Sequence, residues 1–83
     1  MQVSEKQIGD WAAAAWGRTT VERIDEPEGF VAECEAAPGA VAFGRTMEEA
    51  LEEMRTVLID WATLRVERGY RLPHIRGAVA AGM

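Results

Sequence analysis

The stretch from Thr46 to Gly69 constrains the fold of this chain more than any other. Thr46 is placed as an N-cap with Glu49 three residues on, a capping box. Gly69 stands where a C′ glycine ends a helix. Between them Met47, Ala50, Leu51, Met54, Leu58, Trp61 and Leu64, with Val57 beside them, repeat at helical spacing and form one apolar stripe. Glu48, Glu49, Glu52 and Glu53 crowd the first two turns and Arg65 and Arg68 the last, the polarity that a helix dipole favours. The spacing predicts a helix from about Met47 to Arg68, ~33 Å long. A chain of 83 residues forms one domain, so the other elements must supply the layer that covers this stripe.

Two further regions can do so. Ser4 and Gln7 form a second capping box, and Ile8, Trp11, Ala12, Ala15 and Trp16 follow the same helical rhythm, predicting a helix over Glu5–Trp16 that Gly17 ends as a C′ glycine. The period then changes. Thr19–Ile24 is rich in β-branched residues, Asp25–Gly29 reads as a turn punctuated by Pro27 and Gly29, and Phe30–Glu35 alternates between two faces. A tight turn at Ala36–Gly39 leads to a short strand, Ala40–Phe43, closed by Gly44. Connections this short make the strands an antiparallel meander. The expected fold is α+β in the order α-β-β-β-α, a three-stranded antiparallel sheet packed by one long helix. Tyr70–Arg76 has room for a short edge strand, limited by Pro73, and residues 77–83 are expected to fray.

Lys and Arg number 9 against 14 Asp and Glu, a net charge of −5. The acid lies on the expected sheet and long helix, while residues 69–83 are basic. Nucleic acid is bound mainly through phosphate neutralisation, so DNA binding is not expected, and a basic protein partner fits better. The longest apolar run, Trp11–Trp16, is far below the ~20 residues of a membrane span, and no membrane association is expected. The single cysteine, Cys34, has no partner for a disulfide, which points to a reducing, cytoplasmic compartment.

The side chains of catalysis are sparse. His74 is the only histidine and has no carboxylate near it in sequence to orient it. Ser4 is better used as a cap, and Cys34 alternates with Phe30 and Ala32 on an apolar face without a cation to lower its pKa. Glycine-rich phosphate loops and zinc spacing are absent. Glu49 and Glu53 share a helical face, yet acidic first turns are common for dipole reasons alone. No catalytic residue, metal ligand or cofactor site is assigned. Trp61 is expected in the core, and of Trp11 and Trp16 one could pack under the sheet while the other seals a subunit contact.

The ordered set Gly29-Phe-Val-Ala-Glu-Cys-Glu-Ala-Ala-Pro-Gly39 and Gly44-Arg-Thr-Met-Glu-Glu-Ala-Leu-Glu-Glu-Met54, with Arg68-Gly69 and Leu72-Pro73 beyond the helix, resembles the HicB antitoxin family over about residues 18–76. Its frame would be Pro38, Gly39, Gly44, Thr46, Glu49, Ala50, Trp61 and Gly69. The resemblance implies a partial ribonuclease H-like α+β domain without the nuclease carboxylates. It also implies a role in blocking a small basic HicA-type toxin, an RNA-cleaving protein. Many relatives add a C-terminal DNA-binding domain. Residues 77–83 are not expected to supply a counterpart to it, and the expected N-terminal helix over residues 1–17 suggests the stand-alone HicB-like branch of small bacterial proteins.

On that resemblance Asp25, Glu26, Glu28, Glu33 and Glu35 would form the face that meets the toxin, although the same acids read equally well as the solvated side of the sheet. Two other readings stand beside it. One is an orphan HicB-like interaction domain that self-associates, most simply as a homodimer through the third strand or the aromatic N-terminal helix. The other is a double-stranded-RNA-binding-like module, which shares the α-β-β-β-α order but would meet RNA with four glutamates at its second helix.

Overall fold

In the computed structural model, which describes residues 4–75, helix α1 (Glu5–Trp16) is followed by strands β1 (Thr19–Asp25), β2 (Glu28–Cys34) and β3 (Val41–Gly44) and by helix α2 (Met47–Glu67). The expected α-β-β-β-α order and antiparallel sheet are therefore present, with strand order β1-β2-β3. Residues 77–83, expected to fray, and Arg76 lie outside the described residues.

Both helices start as their sequences demand. The Ser4 hydroxyl accepts from the Gln7 backbone N–H at 3.1 Å, and the Ser4 N–H donates back to Gln7 Oε1 at 2.8 Å. At α2 the Thr46 hydroxyl accepts from the Glu49 N–H at 3.1 Å, but Glu49 Oε1 accepts from the N–H of Arg45, one residue before the cap. The reciprocal arm of the box thus ties down the approach to the helix rather than the cap itself. Gly69 takes the left-handed conformation, φ 82°, as a C′ glycine should. Gly17 does not: its φ is −66°, an ordinary right-handed value, because the chain turns straight into β1 with the Arg18 N–H bonded to the Ala15 carbonyl.

The first hairpin is tighter than the composition of Asp25–Gly29 suggests. Pairing runs from Thr19↔Cys34 to Asp25↔Glu28, leaving only Glu26 and Pro27 as the connection. Backbone pairing carries both strands into a segment whose proline and glycine read as turn. The second turn holds Gly39 at φ 92°. Its backbone closes through Ala37 N–H to Cys34 O and Ala40 N–H to Ala37 O.

All the core lies on one face of the sheet. Ala32, Cys34 and Ala42 point inward against Ile8, Trp11, Ala12 and Ala15 of α1 and Ala50, Met54, Leu58 and Ala62 of α2. Only Met54 and Leu58 are large side chains wholly out of water. Alanine lets the layers approach closely. At Gly44 a Cβ would run into the Ala50 backbone nitrogen and stand 2.7 Å from Glu49 Cβ, so β3 and the start of α2 touch backbone to backbone.

Three expectations are corrected here. The buried stripe of α2 is Ala50, Met54, Leu58 and Ala62, whereas Met47 is 50% and Leu64 47% exposed. Ala50 and Ala62 are fully buried while these two larger side chains stay in solvent. Trp61 is half-buried rather than core. No strand forms over residues 70–75. That segment is held instead by the Trp11 indole N–H donating to Pro73 O at 2.8 Å, by Arg65 donating to Arg71 O, and by burial of Ile75.

Candidate protein-docking surfaces

Each tryptophan joins two elements through its indole N–H. Trp11 ties α1 to Pro73, Trp16 ties α1 to the Leu51 carbonyl of α2 at 2.8 Å, and Trp61 ties α2 to the Pro38 carbonyl at 3.2 Å. Trp11 and Trp61 stack with ring centres 5.4 Å apart and planes 9° apart. Arg65 lies over Trp61 and Tyr70, and Arg55 over Trp16. The tryptophans are therefore occupied within the fold. Pro38, Gly39, Gly44, Thr46, Glu49, Ala50 and Gly69 likewise make turns, caps and close approaches, so the frame residues are structural.

The side chains considered for catalysis are apart. Ser4 caps α1, the Cys34 thiol is buried and donates to the Ala15 carbonyl at 3.0 Å, and His74 is exposed beyond α2. Among the described residues no group of three or more His, Cys, Asp or Glu could hold a metal ion. Among them, too, no helix is long and apolar enough to cross a membrane.

The five acids predicted to meet a partner are all exposed, but they do not form one continuous face. Asp25, Glu26 and Glu28 sit at the tip of the β1–β2 hairpin. Glu33 and Glu35 sit near the opposite end of β2, about 20 Å away at ~3.3 Å per residue. Arg18 pairs with Glu35 at 3.4 Å and Arg23 approaches Glu28 at 3.9 Å, both well exposed and so weak.

The hairpin tip has other acidic company. Phe30 pairs with Gly44 at the end of β3, and α2 begins just beyond, which brings Glu48 and Glu49 to the same end of the molecule as Asp25, Glu26 and Glu28. Arg23 and Arg45 stand between, lining with Pro27, Phe30 and Phe43 a shallow cavity of about 600 Å³.

Sequence reasoning allowed for an uncovered sheet face but did not assign its residues. Pairing puts Thr20, Glu33 and Val41 in one row of that face, Glu22, Val31 and Phe43 in the next, and Ile24 and Gly29 in the third. None of these side chains joins the core. The i, i+2 spacing of Glu22 and Ile24 and of Val41 and Phe43, which puts each pair on one face, was the available signal.

The profile of the UPF0150-like family matches residues 10–73, from within α1 to the segment after α2. The chain belongs to the UPF0150-like family. The matched span takes in the whole sheet, all of α2 and the hairpin tip. Among solved structures this UPF0150-like chain is similar to TTHA0281 from Thermus thermophilus, at 24% identity, a TM-score of 0.78, and coverage of 87% of this chain and 89% of that one. At that identity the likeness is one of fold. No curated protein matches the chain.

Proposed function

We propose that this UPF0150-like chain is a non-catalytic, HicB-like antitoxin domain that binds a small basic HicA-type RNA-cleaving toxin and blocks it by occlusion. The observation that carries the proposal is the end of the molecule that holds Asp25, Glu26 and Glu28 of the hairpin tip and Glu48 and Glu49 at the start of α2, five acids against the two arginines, Arg23 and Arg45, that stand between them. All five carboxylates are exposed. A surface of this kind competes with RNA phosphate for a basic groove and speeds encounter with it. The resemblance of Gly29–Gly39 and Gly44–Met54 to HicB, within the UPF0150-like match, supplies the partner class. Glu33 and Glu35, at the far end of β2, are left outside this contact. The free, buried Cys34 suits the reducing conditions of the cytoplasm, the compartment proposed.

The α-β-β-β-α order by itself is compatible with double-stranded RNA binding, but Glu48 and Glu49 at the start of α2 would repel phosphate. A gel shift with duplex RNA at low salt is expected to show no complex.

The direct test is a nuclease-treated pull-down from the source cells with the tagged chain as bait, read by intact mass. Recovery of a small basic protein at near-equal stoichiometry that cleaves RNA when freed supports the proposal. A bait that recovers only its own copies would replace the antitoxin with an orphan HicB-like interaction domain.

A further inference from the structure

Both helices cover the same face of the sheet, and among the described residues no element packs on the other face. It carries Ile24, Val31, Val41 and Phe43; Val41 is 52% and Phe43 44% exposed. Phe43 is not a loose side chain. Its ring lies across Gly29, where a Cβ would stand 2.6 Å from Cζ and 2.8 Å from Cε1. The glycine seats the ring flat and leaves its outer side to solvent, so this aromatic anchor is ordered before any partner arrives, which lowers the entropy cost of binding.

The charges on this face are sorted along the strands. Glu33 and Glu35 lie toward the start of β1, and Arg45 follows β3 at the hairpin end, beside Phe43 and Gly29. Neither Glu33 nor Arg45 has an ion-pair partner among the described residues. The larger acid groups, at the hairpin tip and on the first turns of α2, lie off this face.

We infer that the open sheet face is an interface between two copies of this chain, stacked sheet to sheet and related by a two-fold axis that crosses the strands. Such an axis reverses the order of the rows. The Thr20–Glu33–Val41 row lies over the partner's Glu22–Val31–Phe43 row, Val41 meets Phe43, and Arg45 of each copy comes over the Glu33–Glu35 end of the other. Like charges are offset by a row, and the apolar strip is covered by its own image, as an isologous contact requires. A basic protein finds less here: the face offers it Glu22, Glu33 and Glu35, with Arg18 and Arg45 against them. The contact is small. Three strands ~4.8 Å apart over seven residues span about 300 Å² per copy, against about 800 Å² in stable interfaces. The dimer is therefore weak and concentration-dependent, and it leaves the acidic tips free at opposite ends.

Sedimentation of the full chain from about 10 μM to about 1 mM, the range suited to a small contact, tests this. The wild type is expected to pass from monomer to dimer and no further. Val41→Lys should weaken the dimer by about tenfold or more. Arg45→Glu and Glu33→Arg should each weaken it by about two- to fivefold, and the two combined should restore it. A chain that stays monomeric throughout overturns the inference, as does a dimer indifferent to a folded Val41→Lys variant. If Val41→Lys fails to fold, the charge exchange decides: no recovery in the double variant rules out this stacking.

Discussion

A Cβ added at Gly9 meets nothing within 4 Å, whereas one added at Gly29 collides with the Phe43 ring and with Gly44 O at 2.9 Å. The same substitution should therefore have opposite signs. Gly9 is an exposed position inside α1, and Gly9→Ala should stabilise the protein by about 0.5–1 kcal/mol. At about 4–8 °C per kcal/mol for a domain of this size, the gain is readable as a higher Tm. Gly29→Ala overpacks a tight contact and should cost about 1–3 kcal/mol, a loss that a urea titration would detect. Thr19 offers a third test. Its Oγ1 is buried without a hydrogen-bond partner among the described residues. Thr19→Val removes the unsatisfied oxygen without changing the shape and should be neutral or stabilising by about 1 kcal/mol; a clear destabilisation would show that the hydroxyl has a partner. None of these contrasts was legible in the sequence, because glycines of one helix and one strand look alike until their neighbours are placed.

Among the elements, the helices were the readable part. Caps are local, and the Ser4–Gln7 and Thr46–Glu49 pairs mark both helix starts where the structure has them. Thr46→Ala should cost about 1 kcal/mol, measurable by thermal melting. The inward face of α2 was less legible. Periodicity placed Ala50, Met54 and Leu58 on the stripe, as burial does, but it added Met47, Trp61 and Leu64 and passed over Ala62. An alanine such as Ala62 counts little in a hydrophobic pattern, and the glycine that lets α2 touch β3, Gly44, counts for nothing in it. Leu58, one of the two large side chains fully enclosed, should be the most sensitive position on the helix. Leu58→Ala is expected to cost about 2–5 kcal/mol, a large share of the stability of so small a core. The strands were legible in order but not in extent, since the Asp25↔Glu28 pair depends on cross-strand bonding that no local signal reports. Over residues 70–75 the β-like composition of Tyr70–Ile75 lost to Pro73 and to side-chain anchoring by Trp11 and Arg65.

At the scale of the whole molecule the sequence showed that the chain is acidic but not how its acids are arranged. Alternation placed Glu33 and Glu35 on one face, and the HicB resemblance joined them with the hairpin acids into a single surface. Folding separates them from Asp25, Glu26 and Glu28 and brings the tip to the start of α2 instead. The molecule thus has an acidic end suited to a basic protein and an apolar sheet face suited to its own copy, two surfaces that do not compete. Native mass spectrometry at stepped ionic strength, with the small basic protein recovered from source cells mixed with wild-type chain or with a chain carrying Asp25→Lys, Glu26→Lys and Glu28→Lys, bears most directly on the proposed function. A one-to-one complex that weakens with salt and is lost on reversal of the tip is the expected result. A complex that survives the reversal of all three charges, or no complex with the wild-type chain, would contradict it.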